Sequence, residues 1–93
     1  MNKYNIGEFK ELFQKHLPED HVIKTNILFD IFTRENWITL INIWVNSSSL
    51  LRYYNIKKEL YKLAHLYNIK NFFDFDITLL GFQYYTDKIQ LST

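Results

Sequence analysis

Ninety-three residues, 47% hydrophobic and 18% aromatic, suffice for one domain with a single modest core, since a chain this short buries roughly 60 to 65% of its unfolded surface. Eleven basic against ten acidic residues leave a net charge of +1, without the basic excess that drives most nucleic-acid binders. The lack of cysteine excludes disulfides, a thiolate nucleophile and cysteine-based zinc sites, and two Gly with one Pro exclude low-complexity linkers.

The start, Met1 to Glu8, has no apolar h-region, which argues against a signal peptide. The apolar runs are broken by Asp30, Asn42 and Asn46, far short of the ~20 residues a membrane span needs. Together these predict a cytoplasmic protein with no membrane contact.

The first periodic segment is Ile6, Phe9, Leu12, Phe13 and Leu17, the spacing of one helical face. Asn5 is placed to cap it, and Pro18 ends it by disfavouring helical geometry at Leu17. Residues 19–24 read equally as a turn or as a short second helix. The next two segments, Asn26 to Phe32 and Trp37 to Val45, are rich in β-branched and aromatic residues, which fit a pleated surface. The polar Thr33-Arg34-Glu35-Asn36 between them predicts the turn of an antiparallel hairpin. Neither strand has a cleanly polar face.

Asn46-Ser47-Ser48-Ser49 then supplies a stop and a serine cap for a helix from about Leu50 to Tyr67. Its apolar stripe is Leu50, Leu51, Tyr54, Leu60, Leu63, Ala64 and Tyr67, with Arg52, Lys58, Glu59 and Lys62 outside. Asn68 is a left-handed stop. Phe73, Phe75 and Ile77 alternate with Phe72, Asp74 and Asp76, predicting a third strand, and Thr78 to Ile89 carries a further helical pattern. The expected fold is therefore a single α+β domain over residues 1–93, a three-stranded sheet packed against helices in the order α-β-β-α-β, with or without a final helix.

Reactive chemistry is sparse in this order. His16, His21 and His65 lack the i, i+4 spacing of a shared metal site, and only His16 and His21 are near enough to meet. Asp74 and Asp76 share a strand face, but the plainer reading is that they solvate it. Ser47, Ser48 and Ser49 have no nucleophile elbow around them, and Gly7 and Gly81 cannot build a phosphate-binding loop. Neither catalysis nor a cofactor is expected of this chain. Arg52, Lys57, Lys58, Lys62 and Lys70 form a basic strip that permits weak electrostatic contact with DNA. Aromatics in excess of the core, namely Phe32, Trp44, Phe72, Tyr53 and Tyr61, point instead to a protein-docking surface.

The register Ile27-Leu28-Phe29-Asp30-Ile31, then Asn36-Trp37-Ile38-Thr39-Leu40-Ile41-Asn42-Ile43, then Ser48-Ser49-Leu50-Leu51 resembles the N-terminal domain of PolC-type bacterial DNA polymerase III alpha subunits. The likeness spans roughly residues 6 to 90 and rests on spacing. It departs at Leu51, where the family often has Pro, and at Tyr84-Tyr85, where it has a Tyr-Trp pair. The resemblance implies a K-homology-like fold, related to the polymerase-binding domain of the clamp loader's tau subunit. It also implies the front end of a longer polymerase whose catalytic centres lie beyond residue 93. The role it implies is non-catalytic, tethering the polymerase to replisome proteins such as tau. The outer aromatics and the basic helix face make Trp44, Phe72, Arg52, Lys58 and Lys62 the expected partner surface. The alternative is a free-standing nucleic-acid-binding or replication-regulatory protein of the same fold.

Overall fold

The computed structural model describes residues 4–69 and 75–91, and all the regular structure among them is helical. Five helices follow one another: α1 (Ile6–His16), α2 (Glu19–Ile31), α3 (Arg34–Asn46), α4 (Arg52–Leu66) and α5 (Phe75–Leu91). The expected three-stranded sheet is thus replaced by α2, α3 and the first turn of α5. With it goes the K-homology-like sandwich that the polymerase resemblance implied. Phe72, Phe73 and Asp74 of the expected third strand lie outside the described residues, whereas 75–77 are helical.

The ends of α1 follow the sequence. The Asn5 side chain accepts the Glu8 backbone N–H at 3.0 Å, and Leu17 closes the helix in extended geometry just before Pro18. Beyond Pro18 the chain turns directly into α2, with Glu19 and Asp20 in the first turn, where carboxylates favour the positive end of the helix dipole. Within α2, Thr25 is buried, and its hydroxyl donates to the Val22 carbonyl at 3.1 Å, which satisfies it without a partner helix.

The tetrapeptide expected to turn a hairpin instead starts α3. Thr33 Oγ1 accepts the Asn36 N–H at 3.1 Å while Asn36 Oδ1 accepts the Thr33 N–H at 2.9 Å, a reciprocal capping box. The Tyr67 hydroxyl also donates to Asn36 Oδ1, at 2.6 Å, tying this start to the end of α4. Thr33→Ala should cost about 1 kcal/mol, read as a lower urea midpoint with an unchanged slope; a hairpin turn at this place would tolerate the change with little effect.

Why α3 is a helix is seen in what it buries. Trp37, Leu40, Ile41 and Trp44 are all essentially inaccessible, and their spacing of i, i+3, i+4 and i+7 is that of one helical face. A strand would have buried alternate residues, yet Thr39 and Val45, which share a strand face with Trp37, are exposed. In α4 the buried set is Ile56, Leu60, Leu63 and Ala64; Leu50, Leu51 and Tyr54 of the expected stripe are exposed instead. None of the serines caps α4 through its side chain; Leu51 occupies the cap position. Asn68 does end the helix in the left-handed region, at φ 56°. Its N–H reaches the His65 carbonyl, and the Ile69 N–H reaches Ala64 at 2.8 Å, the pairing of a Schellman stop.

The core is an aromatic cluster. Phe9 and Phe13 from α1, Phe29 and Phe32 at the end of α2, Trp37 from α3 and Phe82 from α5 meet with ring centroids 4.3 to 6.3 Å apart. Trp37 stacks on Phe29 at 4.3 Å, and the other pairs are tilted or edge-on, the geometries ring quadrupoles favour. Packing is closest between α1 and α5 and between α3 and α4. At the α1–α5 contact the Phe13 ring lies directly over Gly81. Nearby the Tyr85 hydroxyl accepts the Asn5 N–H at 3.1 Å, and burial raises the pKa of that hydroxyl above its ordinary value.

Candidate interaction surface on the third and fourth helices

The residues proposed from sequence as a partner surface divide. Trp44 is 1% exposed and belongs to the core, its ring beside Phe82 at 5.8 Å and Tyr53 at 5.2 Å. A Trp44→Ala change would therefore damage the fold before it could report on binding. Phe32 is likewise buried. Arg52 is structural too: its guanidinium lies 4.6 Å from the centre of the Trp44 ring, and one of its nitrogens donates to Gln83 of α5. That bracket holds α3, α4 and α5 together and occupies the charge. Phe72 lies outside the described residues. Lys58 and Lys62 are exposed, as expected, and Tyr53 and Tyr61 are exposed as well.

The other groups with chemical potential do not converge. His16 stacks on Tyr84 at 4.3 Å, while His21 sits 3.8 Å from Asp20 one helix further on. Among the described residues no three His, Asp or Glu side chains come close enough to hold a metal. The expected pairing of Asp74 with Asp76 on a strand face does not apply, because Asp76 falls within α5 and Asp74 is outside the described residues. No helix among the described residues is long and apolar enough to cross a membrane.

What the fold does assemble lies along the α3–α4 pair. A short connection joins the two helices, with the Ser48 carbonyl accepting from Leu51 and Arg52 N–H groups at 3.0 and 2.9 Å. Asn55 Nδ2 donates to Ser47 Oγ at 2.9 Å and fixes the first turn of α4 against this connection. At the corner Leu50 is 90% exposed, with Leu51, Tyr53 and Tyr54 exposed beside it. From there an open groove of about 860 Å³ runs between the helices, with Thr39, Asn42, Ile43 and Asn46 on one wall and Asn55, Lys58, Glu59 and Lys62 on the other. The chain matches no family model, no curated protein and no solved structure at a significant level.

The groove wall on α3 was missed by the sequence reading, and the signal for it was present. On a helix, Thr39, Asn42 and Asn46 fall opposite Trp37, Leu40, Ile41 and Trp44. On a strand they scatter over both faces, so the polar stripe vanishes. Chemically, the groove offers amides and hydroxyls from α3, ammonium groups from α4 and a half-buried apolar floor at Ile43. Nothing in it resembles a nucleophile–base pair; it is equipped to bind.

Proposed function

We propose that this chain is a non-catalytic protein-binding module that docks its partner along the corner and groove of the α3–α4 pair. The observation that carries the reading is the exposure of Leu50, Leu51 and Tyr54 directly beside a groove walled by Lys58 and Lys62. Large apolar side chains bordered by charged and polar groups are what a partner surface needs, an apolar centre that excludes water and a rim that fixes orientation. Recruitment of replisome proteins to a replicative polymerase, the role implied by the sequence resemblance, is a setting compatible with such a module. The exposed corner and groove support such docking without the sheet implied by that resemblance, which the helical fold replaces.

The test is capture by the immobilised chain. Leu50→Ser combined with Tyr54→Ser, and separately Lys58→Glu combined with Lys62→Glu, should each weaken retention of a specific partner at least about tenfold, the loss of about 1.4 kcal/mol. Helical circular dichroism and the melting temperature should stay unchanged, since all four positions are exposed. Ile23→Ser, on the exposed face of α2, is the control and should retain the partner. Full retention by both double variants would overturn the surface. Retention of DNA instead, with a steep salt dependence, would replace it with an electrostatic nucleic-acid reading.

A further inference from the structure

The groove has a regularity that identifies the kind of segment it would hold, and this inference rests on the docking surface just proposed. Each wall repeats the same helical spacing: 39, 42, 43 and 46 on α3, and 55, 58, 59 and 62 on α4. Both stripes lie off the packed faces, which are Trp37, Leu40, Ile41 and Trp44 on α3 and Ile56, Leu60, Leu63 and Ala64 on α4. Apart from Ile43 they are polar, and the groove between them is open. Among the described residues the Asn42, Asn46, Lys58 and Lys62 side chains have no hydrogen-bond or ion-pair partner, so all four are available to a ligand.

Asn42 and Asn46 lie one helical turn apart, a rise of about 6 Å. Alternate residues of an extended peptide are about 6.6 to 6.8 Å apart. A side-chain amide carries both a donor and an acceptor, so it can pair with a backbone N–H and C=O together. Two amides at this spacing match alternate residues of one extended strand. On the facing wall Lys58 and Lys62 repeat the same interval, suited to carboxylates on alternate side chains that point the same way. The charged side chains lining the groove are Lys58 and Lys62 against Glu59 alone, a local basic excess in a chain whose net charge is only +1. Glu59 lines the groove between the two lysines, and it disfavours a continuous run of acids while tolerating an alternating one. We propose that the groove binds an extended acidic peptide segment, its backbone held by Asn42 and Asn46 and its alternate carboxylates by Lys58 and Lys62.

The experiment titrates the full chain with a short, end-blocked peptide of alternating Glu and Val, followed by amide chemical shifts and fluorescence polarisation. The expected result is saturable binding, with shifts confined to α3, α4 and their connection. Asn42→Ala and Asn46→Ala should each weaken it about tenfold by removing backbone pairing, and Lys58→Glu with Lys62→Glu should abolish it. Methylating alternate backbone nitrogens on one edge of the peptide should weaken binding similarly, and on the other edge should not. No saturable binding to the unaltered chain would overturn the proposal, as would binding indifferent to both asparagines. Equal binding of an oligothymidylate of the same charge would overturn it in favour of nucleic acid. If the peptide fails while a partner is still captured through Leu50 and Tyr54, the docking surface stands and only the extended acidic occupant is lost. If capture through those residues fails as well, both fall.

Discussion

Gly81→Ala should lower the stability of this protein, although helix propensity argues for the opposite. Gly81 lies within α5, where exchanging Gly for Ala ordinarily gains about 1 kcal/mol. Here an added Cβ would meet the Phe13 ring, including its root atom Cγ. Phe13 is fully buried among Phe9, Phe29, Trp37 and Phe82, so the ring has nowhere to swing. Overfilling a packed core costs about 1 to 3 kcal/mol and sometimes more, which outweighs the propensity gain. The expected net result is a loss of at least about 1 kcal/mol, or roughly 4 to 8 °C in melting temperature for a chain of this size. Phe13→Leu should rescue part of it, and a double-mutant cycle would show the two positions coupled. A rise in melting temperature on Gly81→Ala would mean that the α1–α5 contact is not built around this glycine.

Trp37→Ala should be the most damaging single truncation, costing about 3 to 5 kcal/mol out of a total that for such domains is about 5 to 15 kcal/mol. Trp37 touches rings from α1, α2 and α5, so its loss opens a cavity at the centre of the molecule. Val45→Ala, eight residues later, should cost no more than about 0.5 kcal/mol because Val45 is 40% exposed. The pair separates the two possible conformations of the segment. As a strand, 37 and 45 share a face and would be felt together; as a helix only 37 faces the core. Chemical denaturation of both variants makes the comparison, and comparable losses would contradict the helical α3.

The misread segments show where periodicity runs out. In Asn26 to Phe32 and Trp37 to Val45 apolar residues occupy so many positions that alternation and the 3.6-residue period both find a face. β-branched and aromatic content then favoured strands, but the preference is worth little against burial of a continuous stripe. Local marks did not decide: Thr33 and Asn36 form a capping box as readily as a turn, and only the packing of Trp37 against five other rings shows which. For the surface, Lys58 and Lys62 were legible because a charged outer helix face needs no tertiary partner. Trp44 was misplaced because its burial depends on Arg52, from the next helix, and on Phe82, far from it in sequence. Asn42 and Asn46 were invisible as a pair until the segment bearing them was known to be a helix.

The local punctuation was legible from residue order alone: the Asn5 cap, the stop at Leu17 before Pro18, the left-handed end at Asn68 and the exposed Lys58 and Lys62 of α4. Those features depend on backbone geometry and on charges within one or two turns. Packing between helices settled the choice of helices over a hairpin, took Trp44 and Arg52 out of the partner surface, and set the amides of α3 across the groove from the lysines of α4. The physical reason is that burial is a property of the assembled core. An apolar segment adopts whichever period lets its neighbours cover it, and here Phe9, Phe13 and Phe82 cover a helix.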